Sequence, residues 1–326
     1  MNVKRFPRSV FALAMLSVVA GAAHAADVTI GYQTGANPAE ISQVNGDYDK
    51  ATHAKLDWRK FDAGAEVITA VASGDVQIAY LGSSPFTVAA SRNVPIETIL
   101  VASNLRSSEA LVVRNGTGIT SPKDLIGKKI ATPFSSTSHY SLLAALKHWH
   151  IDPHQVTIVN LNPPAISAAW QRGDIDAAYT WDPALGVAKA TGKVLITSGD
   201  LAKLGAPTFD VWLVRKDFAK KHPDIVKAFA KVTLDDYQAF NQDPKGWLAD
   251  QQHIDTLAKV TGAKPEDIPG LLEGNSFPSV AEQRTILKGP ITKGIADTAR
   301  FLKEQGRIDA VLPDYSPFVT ARFLPQ

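Results

Sequence analysis

Two hydroxyl-rich segments and two isolated acids are the parts of this chain best suited to chemistry. Ser83-Ser84-Pro85 follows a short apolar run, and Ser135-Ser136-Thr137-Ser138 precedes the helical pattern His139–Trp149. Serine and threonine cap helices, and proline suits a first helical turn. A helix start combines free backbone N–H groups, the positive end of the helix dipole and hydroxyl donors, and so favours an anion. Neither segment contains lysine or arginine. Neutral donors of this kind suit a weakly basic oxyanion such as sulfonate, sulfate or nitrate. Four or five charge-assisted bonds of roughly 1.5–3 kcal/mol each, less the cost of association, bring a small ligand to about −8 kcal/mol. Taken singly, either segment reads as readily as ordinary helix capping.

Glu109 and Asp210 supply the opposite polarity. Each opens a block of one carboxylate, four apolar residues and an arginine, Glu109–Arg114 and Asp210–Arg215. A carboxylate on a cleft floor attracts an ammonium by about 4 kcal/mol at 4 Å and an effective dielectric near 20, before desolvation. The same acids read equally as surface partners of nearby cations. Trp181 fits either a ligand's alkyl linker and ammonium or the hydrophobic core. The tryptophans at 58, 149, 170, 212 and 247 fit core faces better.

Catalytic and metal constellations fail on spacing. Gly82-Ser83-Ser84 is not a G-x-S-x-G nucleophile elbow. Ser138 and His139 are neighbours at a helix start, which points their side chains apart. The eight histidines show no H-E-x-x-H spacing, and the one pair four apart, His150 and His154, is interrupted by Pro153 and cannot share a helix face, so no zinc site is expected. Glu109 and Asp210 as a glycosidase pair would need a sugar platform that nothing else suggests. There is no Walker loop and no G-x-G-x-x-G fingerprint. The residues point to binding without chemistry, with no catalytic residue, metal or cofactor.

The elements that must position these groups read as alternating strands and helices. Val28–Tyr32 is a first strand, Ala65–Ala72 a helix ending at Ser73-Gly74, and Val76–Leu81 a buried strand. The alternation continues through Lys129–Ala131, Ser141–Trp149, Val156–Leu161 and Ala165–Arg172, which argues for α/β units with a largely parallel sheet. From about Pro223 the pattern turns mainly helical and reads as packing on the first lobe.

A weak internal repeat sets the organisation. Ala70–Tyr80 resembles Ala169–Tyr179 at an offset of 99, each reading as helix, Gly-Asp turn and strand. The Glu109 and Asp210 blocks form a second echo at an offset of 101. Chance similarity of α/β units is one explanation; two similar α/β lobes with a cleft between them is the other. On the second, the chain crosses near Glu109–Arg114 and returns near Asp210–Arg215, forming a two-strand hinge. That reading divides the chain into residues 26–112 with 213–326 as lobe 1, and 113–212 as lobe 2. Ligands of open α/β sheets collect beyond the carboxyl ends of the strands, where both serine segments fall.

Composition agrees with two domains and excludes other classes. The chain has 326 residues, 45% apolar and 20% charged, as for a globular protein. Lys+Arg is 34 against Asp+Glu 32, so no basic field argues for nucleic acid. Residues 1–25 read as a cleavable signal peptide, with basic Met1–Ser9, apolar Val10–Ala23 and a small-residue end at Ala23-His24-Ala25. Its apolar stretch is shorter than the roughly 20 residues a bilayer span requires. Removing Lys4, Arg5 and Arg8 with it takes the net charge from +2 to −1. The chain has no cysteine, which excludes thiol catalysis, disulfides and a lipid tether after the signal. A soluble, diffusing monomer in a bacterial periplasm is expected.

At this point the residues resemble a known family, the taurine-binding periplasmic proteins of ABC importers, within the wider aliphatic-sulfonate, nitrate and thiamine-precursor binding group. The resemblance is carried by Tyr32-Gln33-Thr34, Asp57–Asp62, Ser73–Ile78, Leu81–Pro85, Ser108–Val113, His139–Trp149, Ala168–Asp176 and Asp210-Val211-Trp212, spread over nearly the whole chain after the leader. It implies an α/β type II periplasmic binding fold whose two lobes close over 2-aminoethanesulfonate and deliver it to a membrane permease with its ATPase subunits. It also implies sulfonate held by Ser83, Ser84, Ser136 and Thr137 with Gln33 nearby, and amine held by Glu109 and Asp210. One departure stands out: Trp181-Asp182-Pro183 has an acid where the resemblance leads us to expect a small neutral residue. A binder of other aliphatic sulfonates or of sulfate esters, and an enzyme or exported interaction protein on the same fold, are the competing readings.

Overall fold

The computed structural model describes residues 28–326, so the expected signal peptide lies outside the described residues. The strands are β1 (Val28–Gln33), β2 (Leu56–Phe61), β3 (Ile78–Gly82), β4 (Ile96–Leu105), β5 (Glu109–Arg114), β6 (Lys129–Thr132), β7 (Thr157–Asn160), β8 (Ala177–Trp181), β9 (Gly192–Thr197), β10 (Phe209–Arg215) and β11 (Asn275–Ser276). They form two sheets, β11-β4-β10-β3-β1-β2 and β7-β6-β8-β5-β9. The central strands β3, β5, β8 and β10 are apolar almost throughout because helices cover both of their faces.

The two sheets repeat one plan. Reading β2-β1-β3-β10-β4 beside β7-β6-β8-β5-β9 gives two parallel neighbours, a repeat strand, then an antiparallel strand at the same place in each. The helices before the repeat strands, Gly64–Ser73 and Pro163–Arg172, both end on a left-handed glycine, Gly74 at φ 94° and Gly173 at φ 83°. That accounts for the repeated glycine, since a Cβ is disfavoured in this conformation.

The second echo has an equally local cause. In the register, Glu109 lies opposite Trp181 and Asp210 opposite Gly82, so each acid sits at the carboxyl end of a repeat strand. The arginine at the far end of each block docks on the repeat helix. Arg215 Nη1 donates to Val71 O at 2.6 Å, and Arg114 donates to the carbonyls of Trp170 and Ile175 with its guanidinium over the Trp170 ring. Cations at helix C-termini satisfy the last carbonyls and the dipole. Replacing Arg114 with alanine leaves the Ile175 carbonyl unpaired and the Trp170 carbonyl with the Gly173 N–H alone, and denaturant unfolding should report a loss of about 1–3 kcal/mol with unaltered ligand affinity.

The passages between sheets lie a few residues from the expected divisions at 112/113 and 212/213. All of β5 pairs within the second sheet and all of β10 within the first, so the chain passes between Leu105 and Glu109 and again between Thr197 and Phe209. The two passages run side by side, pinned by Leu105 N–H to Thr208 O at 3.1 Å and Gly199 N–H to Arg106 O at 3.0 Å. Each acid therefore belongs to a different sheet.

The C-terminal helices pack on the first sheet as expected, Pro223–Gln242 through Phe229 and Tyr237 on one face and Pro290–Glu304 through Ile291 and Ile295 on the other. The end of Pro290–Glu304 also reaches the second lobe, where Phe301 meets Tyr140 edge-on at 4.7 Å. Asn162 Nδ2 to Asp62 Oδ2 at 3.1 Å joins the lobes on another side. These contacts bridge the two lobes.

Candidate functional site

The helices Ser83–Ser91 and Thr137–His148 start at the carboxyl ends of β3 and β6 and face each other across the cleft. A methyl group on Gly82 would stand 2.6 Å from Thr137 Cγ2. Two helix N-termini are thereby concentrated on one point, each with first-turn N–H groups that have no partner within the helix.

Beside them lies a cavity of about 50 Å³, walled by Gln33, Tyr80, Glu109, Ser136, Thr137, Trp181, Asp182 and Asp210 among others. One water needs roughly 10–15 Å³ by this measure, so the space suits a molecule of few heavy atoms. No lysine or arginine contributes to the wall.

Both acids are buried, Glu109 at 4% exposure and Asp210 at 8%, and neither enters a salt bridge among the described residues. Glu109 accepts hydrogen bonds from the hydroxyls of Thr137 and Ser198. Burial raises its pKa to about 8; the Thr137 bond opposes this and the Asp210 charge adds to it. Asp210 Oδ2 accepts from Tyr80 at 2.6 Å and from Ser103 at 2.9 Å, and burial still raises its pKa to about 6. Two desolvated acids without a paired cation are costly to ionise.

Of the residues singled out from sequence, Gln33, Ser136, Thr137, Glu109, Asp210 and Trp181 come together around the cavity. Ser83 and Ser84 do not reach its wall. Gly82, not a serine, takes the N-cap position, so both serines fall in the first helical turn and are fully buried. Ser83 Oγ accepts the Phe209 N–H at 3.4 Å, and Ser84 Oγ has no partner. Two hydroxyls of the second segment are also committed, while Ser138 Oγ is buried without a partner. Ser136 donates to Pro133 O and accepts from His139 N–H, and Thr137 donates to Glu109.

Sequence reasoning missed Tyr80, Ser103 and Ser198, which hold the acids. A signal for them existed. Both repeat blocks end in tyrosine, and Tyr179 bonds Ser198 at 3.0 Å while Ser198 bonds Glu109 at 3.2 Å, matching Tyr80 and Ser103 on Asp210. Tyrosine and serine support one acid in each lobe.

Two lobes of common plan, with a small cavity between them beside facing helix starts, define a type II periplasmic binding fold. The chain belongs to the family of substrate-binding domains of ABC-type glycine betaine transport systems, matched over residues 26–258. It is 55% identical over 312 residues, 96% of this chain and 97% of the relative, to the taurine-binding periplasmic protein of Escherichia coli strain K12. A putative aliphatic sulfonates-binding protein of Bacillus subtilis strain 168 is 26% identical over 87% of this chain and 82% of its own. Among solved structures, the alkanesulfonate-binding protein of Xanthomonas axonopodis pv. citri bound to MOPS superposes with a TM-score of 0.74 at 21% identity, covering 91% of this chain and 96% of that one.

Proposed function

We propose that this protein captures taurine, 2-aminoethanesulfonate, in the periplasm and delivers it to the permease and ATPase subunits of an ABC importer as a sulfur source. It does so as a diffusing monomer released from its signal peptide, and performs no chemistry on its ligand. The observation that carries the proposal is the pair of buried carboxylates, one from each lobe, in a cavity without a cation. Glu109 and Asp210 take the ammonium. The facing helix starts take the sulfonate, with Ser136, Thr137 and the Gln33 amide at the cavity wall beside it and Trp181 against the ethylene linker. The lobe carrying β5–β9 closes on the lobe carrying the other strands. A binder of other aliphatic sulfonates or sulfate esters has no use for two buried acids.

Calorimetry with taurine, ethanesulfonate, sulfate and nitrate tests the assignment. Taurine should bind most tightly, and at 100 times its Kd it should stabilise the fold by about 2.7 kcal/mol. Ethanesulfonate bound as tightly as taurine would remove the ammonium role from both acids.

The raised acid pKa values set a pH dependence. In the free protein Glu109 holds its proton more firmly than in the unfolded chain, so its own contribution to stability is fully present below the ordinary carboxylate range and is lost as pH rises through about 8. An ammonium beside Glu109 and Asp210 favours their ionised forms, so taurine binding near pH 7 expels protons and its affinity should climb from pH 6 to 8. Titrations in buffers of different ionisation enthalpy should measure that release, and Glu109→Gln should abolish most of it.

A further inference from the structure

Asp182 follows β8 immediately after Trp181 and is buried, with 8% of its surface exposed. Its Oδ1 accepts the Gly186 N–H at 2.9 Å, closing the first turn of the helix Ala184–Lys189. Its Oδ2 is also buried and has no hydrogen-bond partner. The charged groups that face it, Lys189 from its own helix and Asp267 from the other lobe, form no salt bridge with it. A cap alone explains one oxygen and would be served as well by asparagine; it leaves the second oxygen, and the charge, without a use.

Asp182 also forms part of two walls. It lines the cavity with Glu109 and Asp210, and it lines an outer groove of about 860 Å³ between residues 182–191 of one lobe and 262–267 of the other. It is thus the partition between the cavity and the cleft's outer edge. Asp210 Oδ2 is already occupied by Tyr80 and Ser103, and both Glu109 oxygens carry a hydroxyl donor. Unengaged acceptor capacity at this pole lies in Asp210 Oδ1 and Asp182 Oδ2.

We propose that Asp182 is a specificity determinant for the ligand's cationic end, its free oxygen supplying a third acceptor beside Glu109 and Asp210. A primary ammonium carries three N–H donors and meets three acids. The site therefore selects sulfonates ending in a cation rich in N–H groups. The inference rests on the two-pole reading given above.

The test compares taurine with ethanesulfonate on wild type, Asp182→Asn and Asp182→Ala by calorimetry. Asparagine keeps the Oδ1 cap, so the melting temperature of Asp182→Asn should stay close to wild type. Its taurine affinity should fall roughly ten-fold or more, the scale of one charge-assisted hydrogen bond, with ethanesulfonate changed less than two-fold. Asp182→Ala should show the same drop in the ratio of the two affinities, which does not depend on how much of the variant is folded. An unchanged ratio in both variants overturns the role of Asp182 while leaving the two-pole reading intact. A wild-type protein that binds the two ligands equally overturns both.

Discussion

Replacing Glu109 by glutamine together with Asp210 by asparagine should lower taurine affinity by two to four orders of magnitude, while ethanesulfonate affinity moves by less than ten-fold. Two charge-assisted hydrogen bonds to one ammonium contribute roughly 3–6 kcal/mol, and each 1.4 kcal/mol is ten-fold in Kd. The substitutions are nearly isosteric. The new amide at position 210 keeps an oxygen for the Tyr80 and Ser103 donors, whereas the one at position 109 gives up one of the acceptors that serve Thr137 and Ser198. Because both acids are ionised at a cost in the free protein, the double variant should unfold at no lower denaturant concentration than wild type at pH 8. Calorimetric titration of both ligands and urea unfolding check the two halves. Equal losses for taurine and ethanesulfonate would mean that the acids act through the shape of the cavity and not through charge.

A single methyl group at the cleft should be nearly as damaging. Gly82→Ala places a Cβ 2.6 Å from Thr137 Cγ2 and 3.5 Å from Asp210 Oδ1. The glycine backbone is ordinary there, at φ −68° and ψ 157°, so alanine adds no local strain and the open protein should fold normally. Thr137 cannot turn aside freely, because its hydroxyl is held by Glu109. Closure is blocked, and taurine affinity should drop about 100-fold; the compaction on taurine addition that solution scattering should register for wild type should be lost in the variant. Thr137→Ser removes the clashing methyl and keeps the hydroxyl. Combined with Gly82→Ala it should recover most of the affinity, a coupling that two independent lesions would not give.

Much of this is legible in the amino-acid order. Strands β1, β3, β6 and β7 and the helices between them follow from short apolar runs punctuated by glycine and serine, and the repeated Gly-Asp turn marks two equivalent lobes. Glu109 and Asp210 stand out as acids at the head of apolar strands. Which atoms remain free is not legible there. Ser83 and Ser84 lose their hydroxyls to the interior because Gly82 takes the cap, a matter of one residue in a helix start. Ser103 and Ser198 become partners of the acids only once β4 lies beside β10 and the chain turns after β9. The passage between sheets is displaced for a similar reason, since pairing with β8 and β9 claims all of β5.

A crystal structure of the taurine complex puts the central claim to its most direct trial. The account places the amine nitrogen within about 2.7–3.1 Å of carboxylate oxygens of both Glu109 and Asp210, with the sulfonate against the N–H groups that start Ser83–Ser91 and Thr137–His148. A ligand bound the other way round, or an amine turned to water with the two acids still unpaired, would contradict it.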